Sequence, residues 1–374
     1  MELSSAKVVS VPVEESPFTV EEEYEVQVPP EQPLPPICTF IGPVVLSLVF
    51  FSMVGVLVRV HLTRLFTYTG EPIYGLIWVQ MLGCFIMGVA MQLKGVLISY
   101  SPALNTGITT GLCGSITTFS SWQLLIFQEF FNTSRFGHSK FRNFLGGMSV
   151  LTTTLGCSVA ALRLGQMIGD EALIAYIHFA KSTLRTSPRL AEPARRRDGW
   201  LAWDKWAKLD IVLVISGIVG AIAAAVVVAL APRTRSVSIA LLFGPVGTLL
   251  RWRLASLNTE HKRLAKCLPH IFAGLPFGTL IANVLGSATL AIVHILQTGV
   301  VVRPSISSCY VLAAVSDGFC GCLTTISTFA AEINVLRSRL SMLYAGISIV
   351  VAQTLFILVA GLYFETATVN YSVC

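Results

Sequence analysis

Gly111-Leu-Cys-Gly-Ser-Ile-Thr-Thr-Phe-Ser-Ser-Trp122 decides the fold of this chain, because it recurs in the second half as Gly318-Phe-Cys-Gly-Cys-Leu-Thr-Thr-Ile-Ser-Thr-Phe329. Each copy lies inside a long apolar stretch. Glycines and paired threonines weaken a helix there and expose backbone groups that hydrocarbon cannot hydrogen-bond. Irregular backbone at membrane depth is tolerated where it is buried in protein or lines a cavity. The repeat therefore predicts two broken helices at a functional site.

The composition is that of a multi-span membrane protein. Of the 374 residues 54% are hydrophobic and 12% are charged, and the mean hydropathy is +0.72. The nine cysteines are scattered, mostly through apolar segments, which favours neither a disulfide framework nor a metal cluster. The sequence has no zinc-protease motif, nucleophile elbow, paired carboxylates or Walker phosphate loop, so we do not expect an enzyme.

Apolar stretches of about 20 residues predict nine membrane spans in the pattern four, one, four. A four-helix unit ends on the side of the membrane where it began, so the single middle span would invert the second unit relative to the first. The predicted fold is all-α and integral to the membrane, with two inverted four-helix repeats joined by one linker helix. The spans lie at about 38–60, 73–93, 102–131, 144–167, 210–231, 237–256, 271–298, 306–335 and 341–363.

The same pattern divides the chain into five segments. These are a disordered acidic and proline-rich tail (1–37), a first repeat (38–168), a basic linker (169–209), a linker transmembrane helix (210–235) and a second, inverted repeat (236–374). The tail lacks an early apolar core, so no signal peptide is expected.

Basic residues in the linker and in short loops predict a cytoplasmic N-terminus and an extracellular C-terminus. Three basic residues near position 140 run against this orientation. The acceptor sequons at Asn132 and Asn370 would then face outward. The basic linker is more simply a positive-inside segment than a nucleic-acid patch, and it can contact anionic lipid.

Two further signatures repeat in the same order. Gly55-x-x-x-Arg59 in the first span matches Gly247-x-x-x-Arg251, and Gln80-x-x-Gly83 in the second span matches Asn283-x-x-Gly286. The arginines can be interfacial anchors or pore residues. Gly83, Gly88 and Gly286 can serve close helix packing alone.

These residues together resemble the fluoride channel family, which comprises the Fluc-type proteins of bacteria and the fused double-domain fluoride exporters (FEX) of eukaryotes. The resemblance covers about residues 38–364, and its carriers are the glycine-to-arginine stretch, Gly278-Thr-Leu-x-x-Asn283-x-x-Gly286 and the Thr-Thr stretch. It implies two fluoride pathways along the interface of the halves. It also implies a central structural sodium ion held by backbone carbonyls of both breaks.

Residue by residue, the resemblance implies three sets of site positions. The sodium ligands would be the carbonyl groups of Gly114, Thr117, Gly321 and Thr324, and the vestibule residues would be Arg59 and Arg251. The pore-lining residues would be Phe119, Phe329, Asn283, Gln80, Trp122, Ile326, Ser120, Ser327, Thr328, Thr153, Ser348 and Tyr344.

The two copies have diverged in a complementary way. The first copy keeps Phe119 and has Trp122 in place of the later phenylalanine, whereas the second has Ile326 and keeps Phe329. If each pathway takes one aromatic residue from each half, Phe119 and Phe329 line one intact route and the other route is vestigial. Which route receives Asn283 is left open by the sequence.

The fourth helix of each repeat carries several hydroxyl groups. Spacing of three or four places Ser149 with Thr153, and Tyr344 with Ser348, on one helix face each. The alternative is that these hydroxyl groups bond to carbonyls of their own helix.

The expected function is passive export of cytoplasmic fluoride across the plasma membrane, by a chain that works as a monomer because it contains both halves. An inside-negative potential drives a monovalent anion outward by about 2.3 kcal/mol per 100 mV, so no ATP site is needed. The alternative is a proton-coupled fluoride or small-ion transporter. Such a transporter requires a titratable residue at mid-membrane, and the candidates are poor: Glu129, Asp317 and Glu332 lie near span ends, and His294 is more simply a packing residue.

Overall fold

The computed structural model describes residues 37–133, 136–137, 139–186, 200–258, 274–298 and 305–361. Within these residues the chain is helical throughout, with no β-strand. The acidic tail up to residue 36, the centre of the basic linker and the sequon at Asn370 lie outside the described residues.

The first repeat is built from long apolar helices and one helix that is broken at residues 117–118. Its helices are α1 (Ile37–Phe66), α2 (Leu76–Gln92), α3 (Lys94–Tyr100), α4 (Pro102–Thr106), a π-helical segment (Gly107–Cys113), α5 (Gly114–Ile116), α6 (Phe119–Phe130) and α7 (Lys140–Thr186).

The linker helix and the second repeat follow the same plan. The elements are α8 (Trp200–Leu230), a 3₁₀ turn (Pro232–Thr234), α9 (Arg235–Leu254), a 3₁₀ turn (Ala255–Asn258), α10 (Phe277–Gln297), α11 (Ile306–Ala313), a π-helical segment (Ala314–Cys320), α12 (Gly321–Leu323), α13 (Ser327–Val335), α14 (Ser338–Phe356) and a final π-helical segment (Ile357–Gly361). Each repeat thus carries a π-helical segment that is separated from its break by one short α-helix.

Seven helical stretches of the described residues are long and apolar enough to cross a membrane, and an eighth is counted if α2 and α3 form one span bent by 77°. The broken segment of the first repeat, Pro102–Phe130, is not among them, whereas its counterpart in the second repeat, Ile306–Val335, is. The all-α membrane fold is confirmed, and the count of nine spans stays a prediction.

Helix α7 continues without interruption across residue 168, where the sequence analysis ends the first repeat. Gly169 explains part of the continuation, because it lies against the backbone of Val89 and the Cβ atom of Gln92 on α2. The next proline after this point is Pro188, so nothing in the covalent chain forces the helix to end earlier. The first half of the predicted linker is therefore helical up to Thr186.

The two repeats share one apolar core. Its largest buried cluster includes Phe119 and Trp122 of the first repeat together with Phe329 and Tyr344 of the second. The linker helix α8 packs beside this body on α1 and α9. Its contact with α1 is close at Gly217, where an added Cβ atom would lie 2.5 Å from the carbonyl oxygen of Leu46.

Candidate ion pathway at the paired helix breaks

Each break is a short segment outside the helices, residues 117–118 in the first repeat and 324–326 in the second. Helix α5 ends at Ile116, and Thr117 and Thr118 follow with ψ angles of 151° and 124°. Helix α12 ends at Leu323, and Thr324 follows with a ψ angle of 153°. The predicted breaks therefore lie at the Thr-Thr pairs of both repeats.

Threonine hydroxyl groups join the two breaks across the interface of the repeats. Thr117 Oγ1 lies 3.1 Å from Thr325 Oγ1, and Thr118 Oγ1 lies 3.1 Å from Thr324 Oγ1. Thr324 Oγ1 also accepts hydrogen bonds from the backbone N–H groups of Phe119 and Ser120, at 3.1 Å each. Because the partners come from opposite repeats, neither break has its full set of hydrogen bonds without the other half.

Gln80 and Asn283 each hold one break by its backbone. The Gln80 side chain donates from Nε2 to the Thr118 carbonyl at 2.7 Å, and its Oε1 accepts from Thr118 N–H at 3.1 Å. Asn283 makes the matching pair with Thr325, donating at 3.3 Å and accepting at 2.9 Å. Both amides are buried. The predicted pore amides are therefore also structural clamps.

Arg59 and Arg251 are buried at the breaks of the opposite repeat. Arg59 donates to the carbonyl oxygen atoms of Ser115 and Gly321, at 2.7 Å each, and to that of Asp317. Arg251 donates to Cys322 at 2.9 Å and to Thr110 at 2.8 Å. Each side chain is 4% exposed.

This placement rules out a purely interfacial role for the two arginines, since each guanidinium group bonds carbonyl oxygen atoms from both repeats. Arg59 also lines a cavity, as the vestibule prediction requires, whereas Arg251 is packed against Gly114. A Cβ atom at Gly114 would overlap the Arg251 guanidinium group, and one at Gly321 would overlap that of Arg59. These two glycines thus make room for the charged groups.

Gly83 and Gly286 allow close helix packing, which the sequence analysis gave as a possible role for both. An added Cβ atom at Gly83 would collide with the methyl group of Thr117, and one at Gly286 with the methyl group of Thr324. The second helix of each repeat therefore approaches the break of its own repeat closely enough for its amide side chain to reach the next threonine.

The aromatic side chains of the two repeats meet beside the breaks. The ring centroids of Phe119 and Phe329 are 5.3 Å apart at 70°, and those of Phe119 and Trp122 are 5.4 Å apart at 86°. Trp122 donates from its indole nitrogen to the Val150 carbonyl of α7 at 3.2 Å. Phe119, Trp122 and Phe329 are all fully buried, as is Ile326. Phe119 and Phe329 are brought together, as one intact route requires.

A carboxylate cluster that the sequence analysis did not select extends this aromatic pair in the second repeat. Glu332 accepts hydrogen bonds from Thr279 and Tyr344, at 2.6 Å each, and from Asn258 at 3.2 Å. The Tyr344 ring lies 5.2 Å from that of Phe329. Thr279 precedes Asn283 by one helical turn of α10, so both side chains lie on one face.

Two cavities open at positions that correspond in the two repeats. One, of about 470 Å³, is lined by Thr328, Glu332 and Asn258 together with Thr109 and Thr110 of the first repeat. The other, of about 330 Å³, has fourteen lining residues. They are Arg59, Val60, Thr63, Arg64, Thr67, Glu71, Tyr74, Gly75, Leu76, Ser121, Leu124, Leu125, Gln128 and Asp317.

The 330 Å³ cavity of the first repeat has other polar residues but lacks counterparts of Glu332 and Thr279. Aligning the Thr-Thr pairs places Leu125 opposite Glu332, and aligning Gln80 with Asn283 places Leu76 opposite Thr279. Two hydrogen-bonding side chains of the second repeat are thus apolar in the first. This difference was visible in the sequence once the two copies were aligned, and it parallels the difference between the aromatic residues.

Most fourth-helix hydroxyl groups bond within their own helix, which was the alternative reading. Ser348 donates to the Tyr344 carbonyl at 2.8 Å, and Thr153 donates to the Ser149 carbonyl at 2.6 Å. Ser348 is buried, whereas Thr153 is exposed and lies 3.0 Å from the Tyr74 hydroxyl group. Ser120 and Ser327 belong to the hydroxyl network at the breaks. The pore-lining role of these residues stays a prediction.

The carbonyl groups proposed as sodium ligands fit a hard cation in their chemistry. In a continuous helix the Gly114 and Gly321 carbonyls would accept from Thr118 and Thr325, but those N–H groups bond to Gln80 and Asn283. Oxygen ligands are those that hard cations prefer. The Gly321 carbonyl is shared with Arg59 at 2.7 Å.

The fold and site define a class of helical membrane proteins in which two homologous halves meet at paired helix breaks. The model of the family described as "CrcB-like protein, Camphor Resistance (CrcB)" matches residues 46–166 and again residues 238–362. This chain belongs to that family and contains its domain twice.

Curated relatives cover most of the chain. It is 27% identical over 348 residues to fluoride export protein 1 of Candida albicans, which spans 86% of this chain and 80% of that protein. It is 31% identical over 320 residues to fluoride export protein 1 of Schizosaccharomyces pombe, spanning 83% of this chain and 93% of that protein.

A bacterial relative matches a single repeat. The chain is 35% identical over 119 residues to the fluoride-specific ion channel FluC of Chromobacterium violaceum, which spans 31% of this chain and 82% of that protein. No solved structure matches the chain.

Proposed function

We propose that this protein is a fluoride channel that lets cytoplasmic fluoride leave the cell passively, through one conducting pathway. The observation that carries the proposal is the continuous set of contacts from Phe119 to Phe329, Tyr344, Glu332 and Thr279. The names of the relatives, a fluoride export protein and a fluoride-specific channel, support fluoride as the ion.

The conducting route follows the second repeat and takes one ring from the first. Its wide end is the cavity at Glu332 and Thr328, and its narrow part lies between the rings of Phe119 and Phe329. Asn283 belongs to this route because it lies one turn from Thr279, which bonds Glu332. The assignment of Asn283 to this route, which the sequence left open, is part of the proposal.

Neutral donors and ring edges suit the transfer of a small, strongly hydrated anion. Along the route, the hydroxyl groups of Thr279 and Tyr344 replace water as donors when they turn from Glu332 to the ion. Asn283 keeps a second amide hydrogen besides the one it donates to Thr325. Aromatic rings present positive edges to an anion, and the tilted pair of Phe119 and Phe329 supplies such edges. The membrane potential then provides about 2.3 kcal/mol per 100 mV for each exported ion.

The corresponding route of the first repeat does not conduct. Leu76 and Leu125 remove two hydrogen-bonding side chains from its cavity, and Ile326 replaces a ring. The Trp122 indole group is fixed to Val150 and fills the space beside Phe119. Its cavity keeps donors such as Arg59, Arg64 and Tyr74, so the block lies at Trp122 and Ile326 rather than in the cavity itself.

Fluoride efflux from liposomes tests the function. Purified protein is reconstituted with internal potassium fluoride, and external fluoride is followed with an electrode after addition of the potassium ionophore valinomycin. Rapid release that requires valinomycin is expected for an electrogenic channel, and chloride loaded in the same way should stay inside. Release that needs no ionophore would instead indicate proton-coupled exchange.

We also propose a structural sodium ion at the carbonyl groups of Gly114, Thr117, Gly321 and Thr324. When bound, it would supply positive charge between the halves and hold the breaks in place. Replacing sodium with N-methyl-D-glucamine during purification should lower the midpoint of thermal unfolding and reduce fluoride efflux, and sodium should restore both. Unchanged stability and efflux in a sodium-free preparation would contradict the site.

The remaining parts of the proposal concern the setting of the channel. It resides in the plasma membrane with its N-terminus in the cytoplasm and its C-terminus outside. It works as a monomer, because both repeats of the interface lie in one chain. It binds no nucleic acid, and it performs no chemical step.

A further inference from the structure

A groove of about 450 Å³ runs between the linker helix α8 and the first helices of the two repeats, α1 and α9. It is apolar along most of its length. Phe50 and Leu57 of α1, Ala223 and Val227 of α8, and Val237 and Leu241 of α9 form its walls.

Small residues on α8 keep the groove open. At Gly217 the two helices are in close contact, because an added Cβ atom would lie 2.5 Å from the Leu46 carbonyl oxygen. One turn further, at Gly220, an added Cβ atom would meet its nearest neighbour, Met53, only at 3.6 Å. The helices therefore separate after Gly217, and the separation leaves space for a hydrocarbon chain on the membrane-facing side.

One end of the groove is basic. His61 and Arg64 lie there at the end of α1, and Arg233 lies in the turn between α8 and α9. All three side chains are exposed. No carboxylate is among the residues that line the groove. Glu71, the acidic residue nearest along the chain to Arg64, lies in the neighbouring cavity, where it accepts from Tyr68 N–H.

We propose that this groove binds a phospholipid with an anionic headgroup. One acyl chain lies along Phe50, Leu57 and Val227, and the headgroup phosphate lies between Arg64 and Arg233. Apolar contact alone would not select a lipid, since the same contacts are available from any acyl chain of the bilayer. The selection therefore comes from the basic end, which attracts negative headgroups.

The proposed lipid site does not depend on fluoride conduction. Arg64 also lines the 330 Å³ cavity of the first repeat, so a bound headgroup would lie beside that cavity. The binding test below therefore stands whether or not the chain carries fluoride.

Competition binding on the purified full-length protein in mild detergent tests the site. The probe is a fluorescent phosphatidylserine, and the competitors are unlabelled phosphatidylserine, phosphatidylcholine and inorganic phosphate. Phosphatidylserine should displace the probe at concentrations about 25-fold lower than phosphatidylcholine, since each of two arginines contributes about fivefold. Inorganic phosphate at equal concentration should not displace it. Equal competition by the two lipids, or full displacement by phosphate, would overturn the proposal.

Matched variants locate the site. Arg64→Gln with Arg233→Gln should weaken phosphatidylserine binding about 25-fold, and the control pair Arg337→Gln with Arg339→Gln should leave it unchanged. Gly220→Leu fills the groove without changing its charge and should also abolish binding, whereas Val219→Leu on the exposed side of α8 should not. Wild-type affinity in either groove variant would place the lipid elsewhere. Monodisperse elution and an unchanged unfolding midpoint show that each variant is folded.

Discussion

At the scale of single residues, the two routes differ in the side chains that occupy corresponding positions of the two repeats. Phe119 and Phe329 form a tilted pair, whereas Ile326 offers no ring and Trp122 is bonded to Val150. The difference between the two routes is therefore chemical, although the backbone of the two breaks is nearly the same.

Phe329→Ala and Ile326→Ala test this asymmetry. Phe329→Ala removes a ring edge from the conducting route, and we expect fluoride efflux from liposomes to fall roughly two- to tenfold. Ile326→Ala lies in the other route, at the position that corresponds to Phe119, and should leave efflux close to that of the unmodified protein. Equal loss in both variants would show that both routes conduct or that neither substitution reports on conduction.

Arg251 and Arg253 provide a second matched pair. Arg251 is buried and donates to two carbonyl groups, whereas Arg253 lies exposed beside Trp252 on the same helix. Hydrogen bonds from a charged donor contribute about 1.5–3 kcal/mol each, so Arg251→Gln should destabilise the protein by about 3 kcal/mol or more. Thermal unfolding in detergent measures the effect. Arg253→Gln should change the unfolding midpoint little. Equal shifts in the two variants would contradict a stabilising role for the hydrogen bonds of Arg251.

Sequence reasoning located several site residues but did not identify their partners. The Phe119 and Phe329 pair followed from the complementary losses in the two copies, and the structure brings these rings together. Arg59 was placed at a span end, yet its partners lie in the opposite repeat and become visible only when the halves are packed. Glu332 was set aside because it lies near a span end. Its hydrogen-bond donors come from three separate segments of the chain, so the sequence alone does not reveal the cluster.

At the scale of helices, close packing against the breaks fixes their shape. Gly83 and Gly286 let the second helix of each repeat touch the threonine that begins the break. The amides of Gln80 and Asn283 then reach the following threonine and occupy N–H and C=O groups that a helix would have satisfied. A broken helix in a membrane requires such substitutes for its lost hydrogen bonds.

Gly286→Ala and Gly346→Ala separate a packing effect from a general effect of glycine. Gly286 faces the methyl group of Thr324, so its Cβ atom would overpack the break and cost about 1–3 kcal/mol. Gly346 has no atom within 4 Å of an added Cβ, and alanine there should leave stability unchanged or raise it by roughly 0.5–1 kcal/mol. Unfolding midpoints and fluoride efflux should both fall for Gly286→Ala alone. A loss at Gly346 would contradict this account.

The helix boundaries show where a hydropathy pattern stops being informative. Spans were recognised from their apolar length, but α7 continues as far as Thr186 and α8 begins at Trp200, well outside the predicted spans. Polar residues end a membrane crossing without ending a helix. A helix ends where the backbone is interrupted, as at proline, or where its caps and packing change.

At the scale of the whole molecule, two repeats and one linker helix form a single body with a shared core. The linker helix is tied to the first repeat near its beginning, where Ser101 donates to Asp210 at 2.6 Å. An odd number of spans would place the two ends of the chain on opposite sides of the membrane.

Epitope tags at the two ends test the predicted topology. With nine spans, a tag at the N-terminus should bind antibody only after the cells are permeabilised, and a tag at the C-terminus should bind it on intact cells. A cytosolic protein stained in parallel shows that the intact cells are sealed. Detection of both tags on the same side would require an even number of spans and would remove the inversion of the second repeat.

The hydroxyl network that joins Thr117 to Thr325 and Thr118 to Thr324 has a consequence for how the gene can change. In a pair of identical subunits every substitution occurs twice, so Trp122 or Leu125 would damage both routes at once. In a fused chain the same substitution occurs once, so the two halves can diverge in sequence and in role. On the proposed asymmetry, the half whose route does not conduct still completes the break of its neighbour and supplies Phe119, so substitutions can accumulate in its own route while the half itself is retained.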